Sequence, residues 1–530
     1  MTTLLLNGRV HSTSHPDATA MAVHDGTVVW LGSDDVGRAQ FPQAETVDLD
    51  GGFVAPAFVD SHVHLTATGL TLVGIDLRDT TSLRHCLDLI TQHVRTHPDG
   101  VIWAHGWDES RWPEGTPPST EDVDAAVGQR AVYLARVDAH SAAASTALRD
   151  STTGLADAAG YHPQRPLTAG AHHLVRATAR ALLTAAQRER ALRAALDAAA
   201  AHGIVAVHEC AGPQIGGLED WLEAREFEHG VDIVGYWGEA VTDADQARHL
   251  VDRTRARGLA GDLFVDGALG SRTAWLTRPY ADAPEHCGNA YLDEDAVAAH
   301  LHACTQAGVT AGFHVIGDAA VGTVVAALSQ VVERFGPPAV ARCGHRLEHL
   351  EMVTTEQAAQ LGSWGVVASV QPHFDALWGG PEGMYAQRLG RDRAVGLNPF
   401  ALLASHGVPL AFGSDSPVTS IDPWSTVRAA SHHQRPASAI SPRAAFAAAT
   451  RGGWRAAGAR DGVSGTLVPG APASYAIWEA DDFAVSAPAD TVQRWSTDPR
   501  SRVPALPRLD PGDALPRCRA TVHRGVVIHG

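Results

Sequence analysis

Short apolar runs punctuated by turn residues open the chain: Leu4-Leu5-Leu6 before Asn7-Gly8, Ala20 to Val23 before Asp25-Gly26, then Val28 to Leu31. Strands of that length joined by Asn-Gly and Asp-Gly predict hairpins of a small antiparallel sheet, since both turn residues tolerate positive φ. The texture returns near the other end, in Gly465 to Trp478 and Thr521 to Gly530. The pattern therefore predicts a small β-sandwich module built from both termini, residues 1–55 plus 463–530.

Between these segments the period changes. A run rich in Ala, Leu and Arg from about Val175 to His202 has helical spacing, stops at Gly203 and gives way to β-branched Ile204-Val205-Ala206-Val207. The order recurs in Asp295 to Ala307, Gly308, Val309 to Phe313; in Thr355 to Leu361, Gly365, Val366 to Val370; and in Phe400 to Ser405, Gly407, Val408 to Phe412. Helix, glycine and apolar strand in repetition predict parallel βα units. The expected fold is α/β, a TIM-like (β/α)8 barrel over residues 56–462 with an inserted capping region around 66–200.

Composition narrows the function classes. Of 530 residues, 45% are hydrophobic, enough to bury a core and exclude disorder for most of the chain. All 41 basic side chains are arginine, and 59 acidic ones leave a net charge of −18. A surface of that sign repels phosphate backbones, so a small-molecule substrate is expected as partner and nucleic acid is not. No stretch approaches the roughly 20 apolar residues of a membrane span, and the first residues lack the basic and apolar regions of a signal peptide. Six scattered cysteines without a Cys-x-x-Cys pair read as reduced thiols of a cytoplasmic protein. A homo-oligomer is left open.

Catalytic groups of such a barrel stand at the carboxyl ends of its strands. Phe58-Val59-Asp60-Ser61-His62-Val63-His64 ends the first strand, and positions i and i+2 share a face, so His62 and His64 can meet one metal. Later strands run into His314, His349 and Asp415. Imidazole nitrogen with carboxylate oxygen suits a divalent metal, Zn2+ foremost, as one or two ions that lower the pKa of bound water toward about 7. Asp415 is assigned as general base.

These residues fall in Pro56-Ala-Phe-Val-Asp-Ser-His-Val-His64, His314-Val-Ile-Gly-Asp318, His345-Arg-Leu-Glu-His349 and Phe412-Gly-Ser-Asp-Ser-Pro417. Further segments are Gly106-Trp-Asp-Glu-Ser-Arg-Trp-Pro113, Asp266-Gly-Ala-Leu-Gly-Ser-Arg-Thr-Ala274 and Ser369-Val-Gln-Pro372. Together they resemble the amidohydrolase superfamily, and over nearly the whole chain the branch that includes N-substituted formamide deformylases. The resemblance implies a metal-dependent hydrolase of amide or other C–N bonds in a small organic substrate.

One departure bears on the metal. Many two-metal members bridge their ions with a carboxylated lysine, and this branch often carries a lysine four residues before the Asp-Gly of Asp266-Gly267. Here Asp262 stands there, several atoms shorter and expected not to reach the same point, and a chain without lysine has no carboxylated lysine to offer. Glu209, ending the Ile204 to His208 strand, is the first candidate for the bridge; Asp266 or a single ion are the others. His208 and His345 read as structural, and Cys210 as an inert buried thiol. Arg272, Gln371, Trp107 and Asp108 are candidate substrate-binding residues, with Trp103, Trp112, Phe374 and Trp378 offering aromatic surface.

Two rivals remain. Amidohydrolase-fold deaminases acting on aromatic bases usually carry His-x-x-Glu, whereas His314 is followed at +3 by Gly317 and then Asp318. A metal-free binding or scaffold member would typically have lost several ligand positions, and every matched position here keeps a ligand-competent side chain.

Overall fold

Each repeat of helix, glycine and strand closes in the same way. Helix Glu294–Ala307 ends on Gly308 at φ 72°, whose N–H caps the carbonyls of Cys304 and Thr305. Gly365 at φ 68° ends helix Thr355–Trp364 likewise. Glycine takes this left-handed turn without a Cβ clash, so the chain can reverse directly into the next strand. The long run before Gly203 is two helices rather than one, Ala169–Ala181 and Ala185–Ala201. The Thr184 side chain accepts the Gln187 N–H in a capping box, which starts a new helix where periodicity alone shows no break.

In this computed structural model, which describes residues 1–96, 100–484 and 504–530, eight strands pair in parallel in the order of the chain. They are Phe58–Val63, Ile204–Ala211, Asp232–Trp237, Gly258–Leu259, Thr310–Val315, Arg346–His349, Val367–Val370 and Leu410–Phe412. The first and last close the barrel just beyond their ends: Asp415 N–H donates to His62 O at 2.7 Å and His64 N–H to Ser416 O at 2.9 Å. Asp60 Oδ1 reinforces the seam by accepting the N–H groups of Ser414 (2.8 Å) and His62 (3.2 Å).

Two additions surround the barrel. Between its first and second strands a five-stranded sheet runs from Ile75–Asp76 to Leu167–Thr168 and packs on its own apolar clusters. At the termini, Ala20–His24 and Thr27–Gly32 form a hairpin turning at Asp25 and Gly26, both at positive φ. Tyr475–Glu479 pairs antiparallel with Phe53–Pro56, so both ends of the chain share one sheet. Residues 485–503 of the expected C-terminal part lie outside the described residues. Among the described residues no helix is long and apolar enough to cross a membrane.

Candidate metal centre

The strand ends gather side chains that lie far apart in sequence. His62 Nε2 lies 3.5 Å from Asp262 Oδ1 and 3.4 Å from Asp415 Oδ1, while His64 Nε2 lies 3.1 Å from Asp262 Oδ2 and 3.3 Å from Asp415 Oδ1. His349 Nε2 stands 4.0 Å from Asp262 Oδ1, and its ring centre is 4.4 Å from that of His314 and 5.0 Å from that of His62. A tetrahedral ion with bonds of about 2.0–2.1 Å separates its ligands by roughly 3.4 Å. The spacings of His62 and His64 from the two carboxylates match that edge, and His349 stands slightly beyond it. His62 Nε2, Asp262 Oδ1 and His314 Nδ1 are buried without a hydrogen-bond partner, an arrangement costly for polar atoms unless something else binds them. Nitrogen and carboxylate oxygen at these distances fit a divalent transition ion.

Neighbouring groups fix the rings. His62 Nδ1 pairs with Glu348 Oε2 at 2.8 Å, and His349 Nδ1 donates to Gln371 Oε1 at 2.8 Å, which turns Nε2 of each ring toward the cluster. His349 itself departs from strand geometry, at φ 68°. Asp266 Oδ1 stands 3.6 Å from His314 Nδ1 while its oxygens accept the N–H groups of Trp275, Ile316 and Gly317.

The field of the cluster draws positive charge. Burial works against protonation of His64, yet the Asp262 and Asp415 carboxylates hold it up at about 9. Burial likewise opposes ionisation of Asp262, but His62, His64 and His314 keep its carboxyl well below the usual range. His349, pushed down to about 3 by burial and the neighbouring His314, is a neutral nitrogen donor. Carboxylates that hold protons on two imidazoles also favour a dication among them.

Several expectations are corrected by these positions. Asp262 does reach the centre, because its backbone passes close to it: a Cβ on Gly261 would meet Cys210 Cβ at 3.0 Å, and one on Gly238 would meet Asp262 O at 2.7 Å. Glu209 is turned to the backbone, where its Oε2 accepts the Leu65 N–H at 2.6 Å. Arg272 is turned away onto Asp282, at 2.7 Å. Trp107 is buried in the core of the inserted sheet with its Nε1–H on Leu134 O. Asp108 pairs with Arg136 at 3.1 Å and faces a separate cavity, and Gln371 holds His349 rather than lining the pocket. His345 bonds Thr305 and Ala311 on the helix side of its strand, not inside the barrel.

Beneath the cluster lies a pair that sequence reasoning missed. Arg346 and Glu348, both fully buried, form an ion pair, and Arg346 also reaches Ser61 O, His208 Nδ1 and Ser369 Oγ. His208 is thereby placed under the centre rather than in it. The available signal was Arg346-x-Glu348 at strand spacing, which puts two charges on one face.

The pocket above the cluster is lined by His64, Asp262, His314, His349 and Asp415 from the barrel and by Trp103, Tyr133 and the helix Ala169–Ala181 from the insert. The profile of the amidohydrolase family matches residues 45–529. Protein LONG AFTER FAR-RED 3 of Arabidopsis thaliana is 27% identical, covering 91% of this chain and 87% of that protein. An N-substituted formamide deformylase of Arthrobacter pascens is 22% identical, with 80% and 83% covered. A crystal structure of an uncharacterized metal-dependent hydrolase from Pyrococcus furiosus superposes with a TM-score of 0.69 at 25% identity, covering 91% of this chain and 99% of that one. A parallel eight-stranded barrel with these imidazoles and carboxylates gathered at one end, matched by the family profile over most of its length, belongs to the amidohydrolase family.

Proposed function

We propose that this protein hydrolyses a C–N bond, of the amide or N-substituted formamide type, in a small organic substrate, using one or two divalent ions, Zn2+ foremost. The observation that carries the reading is the set of 3.1–3.5 Å separations joining His62 and His64 to Asp262 and Asp415. When bound, such an ion supplies Lewis-acid activation of the water and of the substrate carbonyl.

The remaining work falls to the chain. His62, His64 and Asp262 form one candidate group and His62, His349 and Asp415 another, and both draw on the same His62 Nε2 because Nδ1 is taken by Glu348. Asp262 faces His64 with one oxygen and His62 and His349 with the other, so it would help to hold an ion at this cluster. His314 adds a donor beside His349. Asp415 is held below the ordinary carboxylate range by His62 and His64 although burial opposes this, so it is an unprotonated acceptor at neutral pH. It takes the proton of the water that attacks the carbonyl carbon and delivers it to the nitrogen as the C–N bond breaks.

The test is an amine-release screen of formamides and amides with metal-loaded enzyme, beside the Asp415→Asn variant. Turnover lost by roughly 10²- to 10⁴-fold in that variant, with melting temperature retained and the loss persisting when metal is added in excess, supports the reading. Full activity of Asp415→Asn refutes the base, and turnover that survives exhaustive chelation refutes the metal.

A further inference from the structure

Six buried arginines stand in the described structure, and five have their charge or their donors answered. Arg346 pairs with Glu348; Arg136 with Asp108, Glu109 and Asp138; Arg180 with Asp220; Arg388 with Asp282. Arg149 has no carboxylate but gives its three nitrogens to the carbonyls of Ala144, His162 and Arg165. Arg176 differs. It is 8% exposed, and its Nη2 alone bonds, to Gln214 O at 2.5 Å and His173 Nδ1 at 3.2 Å. Its Nε is buried without a partner, and among the described residues no carboxylate oxygen lies within ion-pair distance of its guanidinium. An unanswered buried charge is destabilising, and a fold that keeps one does so where another molecule can answer it.

The position says which molecule. Arg176 lies in the helix Ala169–Ala181 and lines the same cavity as the metal centre, about 650 Å³ of empty space counting its open mouth. Its neighbour His173 packs on Phe264 (ring centres 5.8 Å apart), and Phe264 packs on His314 (4.9 Å). The His173 imidazole on that wall adds no charge of its own, since burial pulls it down to about 3. Arg180, the other cation of the wall, is already engaged by Asp220.

We infer that the substrate carries a carboxylate, which pairs with Arg176 while the scissile C–N bond lies over the metal centre. The inference rests on the hydrolase reading above and adds an anionic end to the substrate. A planar carboxylate suits the free N–H groups of a guanidinium held in place by two other bonds. The neutral Trp103, Tyr133 and Phe264 surfaces between would receive an apolar middle.

The test compares 3-phenylpropionate with 3-phenylpropionamide as ligands of the metal-loaded full chain, by calorimetry, in the wild type, Arg176→Gln and Arg176→Lys. A carboxylate can also bind a metal ion, so the decisive quantity is the change between proteins. The wild type should prefer the acid by roughly 10- to 100-fold. Arg176→Gln should abolish that preference with amide binding and metal content unchanged, and Arg176→Lys should keep part of it. Undiminished acid binding in Arg176→Gln overturns the inference, as does a wild type that fails to prefer the acid. A parallel assay of formate release from N-formylphenylalanine and its methyl ester separates the two claims. Anion binding through Arg176 without any hydrolysis sinks the C–N reading and leaves the anion subsite standing.

Discussion

Asp262 shows how much a single position depends on its backbone. Counting side-chain atoms from a lysine to an aspartate suggests that it falls short, but reach is set by where the chain runs, and Gly261 and Gly238 let it run close. Sequence spacing carries no such information, whereas His62 and His64 were legible because strand alternation fixes their common face. Glu209 and Arg272 were misplaced for a related reason: ligand-competent chemistry says nothing of a nearer partner, here the Leu65 N–H and Asp282. Gln371 belongs at this scale too. Its Oε1 holds the His349 Nδ1–H, so Gln371→Leu leaves that ring free to turn. Metal affinity, measured by competition with a chelator, is expected to fall by about 10- to 100-fold with little change in melting temperature.

At the scale of elements, the βα units were readable because their signals are local: an amphipathic helix, a glycine at positive φ, then an apolar strand. The division at Thr184 and the Arg346–Glu348 pair were not, since a polar stretch between helices and a charged pair in a strand look alike whether buried or exposed. Packing between elements is just as hidden. Helix Leu65–Val73, which begins directly after His64, lies against Ala185–Ala201, and a Cβ on Gly69 would stand 1.8 Å from Ala191 O. Gly69→Ala gains about 1 kcal/mol of helix propensity. It must also push two backbones apart, at a cost of about 1–3 kcal/mol, and backbone cannot rotate away. The melting temperature is expected to drop, and metal affinity with it, because the Leu65 N–H and His64 move with the helix. An unchanged melting temperature would show that the helices part freely.

For the whole molecule, buried neutral imidazoles contribute one part of the response to acid. His11, His300 and His345, away from the metal centre, are pulled by burial to about 4, about 4 and about 3 from an ordinary 6.5. At these three positions the unfolded chain binds protons that the folded chain refuses, so their share of the stability is full above pH 6.5 and is lost progressively as pH falls toward 4 and then 3. Urea midpoints across that range should decline, and His345→Gln should make the decline shallower; parallel curves for the two proteins would refute its share. The seam of the barrel has a consequence in time. Ser414 and Asp60, bonded to each other, stand 354 residues apart, and Asp415 follows at once. A ribosome has made most of the polypeptide before the second of the two carboxylates that face His62 and His64 exists, so a nascent chain stalled short of that point has Asp262 but neither Asp415 nor the closing strand. Closure of the barrel around that cluster is thereby postponed to the closing stage of synthesis.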